Sequence, residues 1–382
     1  MKILMLTSGT PNSRMSYRIV ALGKELIRLG HDVTMIAPSF DRHSGWKVDR
    51  PNNIDGIKMV YPPQLQTRFY LANLVPYILG ASFEVMRRNA DIVYLYKPTP
   101  VTIVGLIAKL IRRTPIVLDM DDLGSEVMRA EGRSGAMSRL VEMCEELAAG
   151  QATAIVAASR LLENEYHSKY PTKPILRLPN GVDPMEITPA RSSRKRHAKI
   201  IFFGILGRPA ILASLIRALP EVIREVGRGR VQVEILGDGP ARTELEQLAE
   251  RLGVSDVLTF RGWTTFDQLT GYATAGDVAI CTTPQERTTA ACSNQKIFQY
   301  MALSLATIVT DVGDLPLYVE DGEAGLVVPA DDPEALAKAM VYLLRRPSIR
   351  QHIGEFARNL AETKYAWTNL ALTLNQLLET VR

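Results

Sequence analysis

Short apolar runs alternate with longer runs of helical periodicity along most of the chain. The first run, Lys2 to Leu6, ends in a polar turn, and Met15 to Leu29 then places apolar residues every three or four positions. Gly30 ends that stretch, and Asp32 to Ala37 predicts a second strand. A strand–helix–strand order of this kind indicates a βαβ unit, which implies a parallel sheet with a right-handed crossover.

The alternation continues to about residue 180. Further strands are predicted at 57–60, 91–96, 115–118, 154–157 and 175–178, and helices at 101–110, 123–129, 137–149 and 160–166. The segment Arg68 to Arg88 is mostly apolar, contains Pro76 and is flanked by arginines. Two interpretations stay open for it: a helix pair that covers the sheet, or an interfacial helix that lies against lipid.

A polar, basic segment at 189–199 separates this half from a second one with the same alternation. We place the domain boundary there, with domains at 1–190 and 191–364. The segment either contacts an anionic surface or is a solvated connector. Strands are predicted at 200–203, 231–236, 257–260, 277–281, 307–310 and 326–328, and helices at 209–226, 241–252, 266–273, 332–344 and 370–381. The fold class is therefore α/β with two Rossmann-like domains, whose ligands bind at the carboxyl ends of strands.

The stretch Pro284 to Ala302 carries the most specific candidate chemistry. A polar loop is followed by the helix-start signal Ser293–Asn294 and then by an apolar periodic run with Lys296 near its start and Gln299 one turn later. A helix N-terminus offers unpaired N–H groups and about half a positive charge. Since Lys296 adds a full charge, we expect a phosphorylated ligand here.

Composition, charge and cysteine content exclude several classes of protein. The chain has 382 residues, 46% of them hydrophobic and 23% charged, and its net charge of +4 is too small to indicate nucleic-acid binding. Three cysteines form no metal-binding or CxxC spacing, so we expect a reducing, cytoplasmic compartment, with peripheral contact at an inner membrane face left open. The apolar core at Ile3 to Leu6 is too short for a signal peptide, and no apolar run is long enough to span a membrane.

Four segments together resemble a known family. They are GHDVTMIAP from Gly30, LPNGVDP from Leu178, ILGDGPARTELEQLAERLGVSDVLTFRGW from Ile235 and NQKIFQYMALSLATIVTDVGDLPLYVEDGEAGLVVPADDPEALAKAM from Asn294. In this order they resemble the retaining GT-B glycosyltransferases of family 4. The resemblance covers nearly the whole chain and is most specific in the C-terminal half.

The resemblance implies two Rossmann-like domains that face each other across a cleft, with a nucleotide-sugar held mainly by the second domain. It implies that the C-terminal helix at 365–382 packs back on the first domain. It also implies a metal-independent hexosyl transfer to a sugar, lipid or small-molecule acceptor, with the nucleotide-sugar as substrate and without a cofactor.

The chain departs from the family pattern at several positions. The family's two glutamates, which have seven residues between them, correspond to Ala291 and Gln299. Its Gly-Arg pair and its lysine fall near Ile205 and Ala210, and Arg208 lies between them as a substitute. The glycine pair after the first strand falls near Ser13–Arg14, and the family's histidine near Asp119–Asp121.

The candidate site follows from these matches. Its catalytic candidates are Lys296, Arg208, Asp119 and Asp121. Its donor-binding candidates are Ser293, Asn294, Gln299, Gly204, Gly237, Asp238, Arg261, Trp263 and Arg14. Trp263 either stacks on the nucleobase or belongs to the core. Asp119 and Asp121 either orient an acceptor hydroxyl, cap the helix that follows or are solvated charges.

Two other functions compete with sugar transfer as interpretations of the sequence. A non-catalytic GT-B scaffold, which binds a nucleotide-sugar or a protein partner, would account for the missing glutamates. A nicotinamide dehydrogenase is disfavoured, because the first βα turn, TSGTPNSRM, lacks the GxGxxG needed for close approach of a pyrophosphate.

Overall fold

The computed structural model describes residues 1–11, 13, 16–39, 51–63, 70–187, 198–264, 268, 271–272 and 278–382. The chain divides into two compact units. The first contains Met1–Pro179, Ala291–Ser293 and Trp367–Arg382, and the second contains Asn180–Ala290 and Asn294–Ala366. Most of the predicted boundary segment, 189–199, lies outside the described residues, as do Arg14 and most of the helix predicted at 266–273.

The first unit is built on an eight-stranded sheet. Its strands are β1 Lys2–Leu6, β2 Asp32–Ile36, β3 Asn53–Ile54, β4 Ile57–Val60, β5 Ile92–Tyr96, β6 Ile116–Met120, β7 Ala154–Ala157 and β8 Ile175–Arg177. They lie in the order β3-β4-β2-β1-β5-β6-β7-β8, and every pair is parallel except β3 with β4. The sequence order reverses between β1 and β5, which is where doubly wound sheets bind ligands.

Helices cover the first sheet. They are α1 Tyr17–Arg28, α2 Tyr70–Arg87, α3 Leu106–Arg112, α4 Gly124–Ala130, α5 Gly135–Gln151 and α6 Arg160–Lys169. The last helix of the chain, α14 at Trp367–Val381, belongs to this unit and buries its apolar side against the same core. Trp367 is buried and packs edge-on against Tyr17, with the ring centroids 6.0 Å apart, so it anchors the start of this helix.

The second unit has a six-stranded, fully parallel sheet. Its strands are β9 Ala198–Phe203, β10 Val231–Leu236, β11 Leu258–Gly262, β12 Val278–Cys281, β13 Ala306–Thr310 and β14 Gly325–Val328. The order is β11-β10-β9-β12-β13-β14, which is 3-2-1-4-5-6 when the strands are counted within this sheet. This is the Rossmann strand order, and its reversal lies between β9 and β12.

The second unit contains several helices, two of which begin at a side-chain cap. The helices are α7 Ala210–Val226, α8 Arg242–Arg251, α9 Arg287–Ala291, α10 Gln295–Ala302, α11 Leu315–Tyr318, α12 Pro333–Leu344 and α13 Pro347–Thr363. At α12, for example, the Asp332 carboxylate accepts a hydrogen bond from the Ala335 N–H at 2.9 Å, and Pro333 occupies the first turn, where its missing N–H costs nothing.

Several expectations need correction. The described part of the segment at 68–88 is one helix that continues through Pro76, so the helix pair is wrong. Strand β6 extends past the predicted residue 118 to Met120 and takes Asp119 into the sheet. Arg287–Ala291, expected to be loop, forms one helical turn, and the helix Pro347–Thr363 was not predicted. Among the described residues, no helix is long and apolar enough to cross a membrane.

Candidate functional site

The carboxyl ends of β9 and β12 define the centre of the second sheet. Gly204 directly follows β9 with φ near +151°, a conformation that favours glycine. Gly237 directly follows β10, also with a positive φ, and a Cβ placed on it would lie 1.9 Å from the Gly204 carbonyl oxygen. The backbones of the two strand-end loops therefore touch at Gly204 and Gly237, and a side chain on Gly237 would not fit between them.

Backbone hydrogen bonds join these two loops. The Gly204 N–H donates to the Leu236 carbonyl at 3.0 Å, and the Leu206 N–H donates to the Asp238 carbonyl at 2.9 Å. The Asp238 carboxylate accepts from the Gly239 N–H at 2.8 Å and from Arg242 at 3.1 Å. Asp238 thus shapes the loop, and its predicted part in donor binding stays a prediction.

Helix α10 begins beside this edge. The Asn294 side chain accepts a hydrogen bond from the Lys296 N–H at 3.3 Å, which confirms Asn294 as the helix cap. The Gln295 side chain donates to the Gly181 carbonyl at 2.6 Å and so ties the helix start to the LPNGVDP segment. Ser293, one residue before the cap, is buried and groups with the first unit.

The ammonium group of Lys296 lies at the point of strand reversal. Its Nζ is 4.4 Å from the centroid of the Phe202 ring on β9, and a Cβ on Gly204 would lie 3.2 Å from that atom. Desolvation lowers the pKa of Lys296 below its ordinary value, a shift that the nearby Cys281 thiol opposes. Within the described ranges, no carboxylate forms an ion pair with this ammonium, so its charge is left without a counter-ion.

Gln299 lies one turn after Lys296 and on the same helix face. Its side chain is only 8% exposed, and no hydrogen bond of its amide is found in the part of the chain that the structure describes. Its amide is not among the described side-chain groups that are both fully enclosed and without a hydrogen-bond partner. The Lys296 ammonium and the Gln299 amide thus form one polar pair on this helix face.

Arg208 already forms an ion pair. Its guanidinium binds the Glu286 carboxylate through two contacts, at 2.9 and 2.7 Å, and both side chains are partly exposed. Sequence reasoning noted Glu286 only as part of a polar loop, and the pairing joins residues 78 positions apart. The catalytic role of Arg208 stays a prediction, and it requires this ion pair to open.

Arg261 is likewise held by a carboxylate. It binds Glu234 through contacts of 2.6 and 3.0 Å, and Lys199 reaches the same carboxylate at 3.3 Å. Burial alone would raise the pKa of Glu234, but its hydrogen bond from Arg261 and the charge of Lys199 outweigh burial and lower it. Trp263, two residues after Arg261, is 58% exposed, so the core interpretation of Trp263 is wrong.

In the first unit, the structure places Asp119 inside the fold. Its carboxylate accepts hydrogen bonds from Arg18 at 2.9 Å and from Tyr94 at 2.6 Å, and Arg18 also donates to the carbonyls of Pro179 and Leu178. Burial raises the pKa of Asp119, and the Arg18 charge opposes that rise. The carboxylate is fully buried, which suits a group that joins α1, β5 and β6. Arg18 was not predicted from the sequence, because no local pattern distinguishes a buried arginine on a helix from an exposed one.

Asp121 belongs to a second cluster at the end of β6. Tyr96 donates to its carboxylate at 2.8 Å, and the Lys97 ammonium lies 3.2 Å from Asp121 and 2.6 Å from Asp122. Burial alone would raise the pKa of Asp121, but Lys97 together with Arg18 outweighs burial and lowers it. Asp121 is therefore an ionised carboxylate at a strand end, with a lysine beside it.

The described residues contain no group of three or more histidine, cysteine, aspartate or glutamate side chains arranged to hold a metal ion. Lys296 places one positive charge at the carboxyl ends of the second sheet. Arg14, the remaining predicted donor ligand, lies outside the described residues.

Two family models match the chain. The model described as Glycosyltransferase Family 4 matches residues 15–186, and the one described as Glycosyl transferases group 1 matches residues 197–346. An uncharacterised glycosyltransferase of Methanocaldococcus jannaschii is 23% identical over 97% of this chain and 96% of its own length.

Solved structures agree on the fold. Sucrose-phosphate synthase from Thermosynechococcus elongatus has a TM-score of 0.78 at 18% identity and covers 99% of this chain and 98% of its own. The Anabaena protein HepE in complex with UDP and glucose has a TM-score of 0.74 at 18% identity, with 100% of both chains covered. With both family models matched in order, the chain belongs to the family-4-like glycosyltransferases of GT-B fold.

Proposed function

We propose that the protein is a retaining glycosyltransferase that moves a hexose from a nucleotide-sugar to a sugar, lipid or small-molecule acceptor without a metal ion. The observation that carries the proposal is the Lys296 ammonium, half-buried at the reversal point of a Rossmann sheet and without a carboxylate partner among the described residues. A desolvated cation in this position favours binding of a diphosphate.

Sugar transfer places growing negative charge on the departing diphosphate, and Lys296 is proposed to neutralise that charge. The first turn of α10 adds N–H dipoles of the same sign. Because the lysine is held in place before the reaction, it needs no reorganisation as the charge develops. Loss of one such donor typically costs about 2.7–4 kcal/mol of barrier.

The other proposed donor contacts lie along the carboxyl ends of the strands of the second sheet. Gln299 would bond a ribose or phosphate oxygen with its amide, but unlike a carboxylate it accepts without charge. Trp263, exposed after β11, would stack on the nucleobase. Gly204 and Gly237 let the ligand approach the backbone closely. We therefore expect weaker nucleotide binding than a glutamate at position 299 would give.

Three further residues have narrower parts in the proposal. Arg208 can reach a phosphate only if its pair with Glu286 opens, which is inexpensive because partly exposed pairs contribute about 1 kcal/mol or less. Asp119 acts as a positioning residue through Arg18, since its carboxylate is buried. Asp121, at a strand end, orients an acceptor hydroxyl.

The test is donor binding and turnover with UDP-glucose, UDP-N-acetylglucosamine and GDP-mannose, measured with and without EDTA. We expect at least one donor to be hydrolysed or transferred, with EDTA having no effect. Lys296→Met should lower kcat about 100- to 1,000-fold. Lys338→Met is the matched control, because Lys338 is an exposed lysine on a helix of the same unit.

Lys296→Met should also leave the ligand-free protein at least as stable as the wild type, because it removes a desolvated charge without a partner. Loss of activity would then not reflect misfolding. Absence of binding and of turnover with every donor would refute the proposal, as would a Lys296→Met variant with full activity. NMR of the product's anomeric proton tests retention of configuration.

A second function is favoured by one specific observation. Ala291 and Gln299 stand where the family has glutamates, which suits a scaffold that binds a nucleotide-sugar without transferring the sugar. Binding of UDP or GDP that Lys296→Met weakens, together with no turnover of any donor, would favour it. For either function we propose a cytoplasmic location, consistent with the absence of disulfides at Cys144, Cys281 and Cys292.

A further inference from the structure

Helix α2 has two apolar faces. One packs into the core of the first unit through the buried residues Leu74, Tyr77, Ala81 and Val85. The other presents Val75, Leu79, Phe83 and Met86, which are 40–67% exposed and spaced by four, four and three positions. That spacing places the four exposed side chains on one stripe of the helix. A single exposed apolar residue is ordinary on a protein surface, but a stripe of four is not.

Helix α3 extends this surface. Leu110 and Ile111, at its end, are 82% and 56% exposed. Arg112 donates to the carbonyls of Met86 and Arg88, at 2.5 Å each, and so fastens the end of α3 to the end of α2. We call the set Val75, Leu79, Phe83, Met86, Leu110 and Ile111 the apolar stripe.

Basic residues flank the apolar stripe. Five lie in the last turn of α2 or α3 or directly after it: Arg87, Arg88, Lys109, Arg112 and Arg113. Glu84 is the one carboxylate in the segments 84–88 and 109–113, which therefore carry a net charge of +4. Arg87 and Arg88 both pair with Glu84, and the two segments keep a positive excess beside the apolar stripe.

A second apolar stripe in the same unit provides a contrast. On α5, the residues Leu140, Met143 and Leu147 are 37–61% exposed. Their helix carries Glu142, Glu145 and Glu146 and only one arginine, so its charge has the opposite sign. Of these two exposed apolar stripes, the one on α2 and α3 is the one flanked by positive charge.

We propose that the apolar stripe and its arginines bind the surface of an anionic phospholipid bilayer. The stripe enters the boundary between headgroups and acyl chains, and the arginines meet lipid phosphates, which is how amphipathic basic helices bind membranes. A second copy of this chain is a poorer occupant, since a two-fold interface would bring two surfaces of charge +4 together.

The test is sedimentation of the full chain with two kinds of vesicle. One contains phosphatidylcholine and phosphatidylglycerol at a ratio of 7:3, and the other contains phosphatidylcholine alone. We expect binding to the anionic vesicles, at least tenfold weaker binding to the neutral ones, and release of the protein as salt rises from 0.05 to 0.5 M. Equal binding to both vesicles, or none to either, overturns the proposal.

Variants locate the surface. Leu79→Gln with Phe83→Gln should weaken binding to anionic vesicles at least tenfold, because two exposed apolar side chains no longer enter the bilayer. Arg113→Gln should weaken it about fivefold. The matched control, Met143→Gln with Leu147→Gln on α5, should bind as the wild type does. All variants alter exposed positions, and unchanged thermal unfolding checks that each is folded.

Two results would overturn the assignment of this surface. One is wild-type binding by the Leu79→Gln/Phe83→Gln variant. The other is a dimer in solution that the same variant dissociates, which would make a second copy of the chain the occupant. The assay measures lipid binding without a sugar donor, so its failure is distinguishable from failure of the proposed transferase activity.

Discussion

Replacement of Arg18 by methionine tests whether the carboxylate of Asp119 is a structural group. In the folded protein, Arg18 and Asp119 are both buried, and the guanidinium donates to Asp119 and to the carbonyls of Leu178 and Pro179. Arg18→Met therefore leaves a buried carboxylate without its counter-charge and two carbonyls without a donor. Breaking a buried pair from one side costs about 3–5 kcal/mol.

The double variant Arg18→Met/Asp119→Asn should recover at least about 2 kcal/mol of this loss. Asparagine carries no charge, and its carbonyl oxygen still accepts from Tyr94, which donates to Asp119 at 2.6 Å in the wild type. The single variant Asp119→Asn should also destabilise, because it leaves the Arg18 charge buried alone.

The assay is urea unfolding followed by tryptophan fluorescence in a Trp46→Phe/Trp263→Phe background. Since the chain has three tryptophans, this leaves buried Trp367 of the first unit as the sole reporter. At an m-value of about 2.5 kcal/mol/M, a loss of about 4 kcal/mol lowers the midpoint by about 1.6 M urea. A midpoint shift below about 0.4 M, or a double variant no more stable than Arg18→Met, would refute the reasoning.

Three further predictions follow from the second unit. The affinity for UDP should fall as pH rises through the alkaline range, because the pKa of Lys296 is lowered in the free protein and a bound diphosphate favours the charged form of the lysine. Calorimetry should therefore show proton uptake when UDP binds. Lys296→Arg should remove this pH dependence. Gly237→Ala should cost more than about 3 kcal/mol, measured as a loss of soluble protein or of melting temperature, because its Cβ would meet the Gly204 carbonyl at 1.9 Å. Glu234→Gln should lower stability by about 1 kcal/mol at pH 7. Since the pKa of Glu234 is lowered in the fold, the contribution is present above its ordinary value of 4.5 and is lost as pH falls, so the melting curves of the two proteins should converge in acid.

The sequence also carries a signature of helix α13. The helix Pro347–Thr363 buries Ile353, Ala357 and Leu360, which recur at helical spacing, and it begins with a proline in its first turn. A search for this pattern finds the helix from sequence alone.

Local patterns determined most of the architecture. Apolar runs of strand length, each followed by helical periodicity, require parallel sheets, because only crossover helices can join such strands and cover both faces. The same local information located the start of α10 at Ser293–Asn294 and the glycines at the ends of β9 and β10.

The tertiary structure alone decided which charges are paired. Arg18 meets Asp119 across 101 positions of sequence, Arg208 meets Glu286 across 78, and Lys296 meets no carboxylate in the described ranges. Periodicity shows which face of an element is buried, but the partner of a charged group depends on which strand ends adjoin in the sheet. The sequence proposed both Lys296 and Arg208 as catalytic cations. Within the described ranges, the fold pairs Arg208 with Glu286 and gives Lys296 no counter-ion, because a charge's partner is set by contacts distant along the chain.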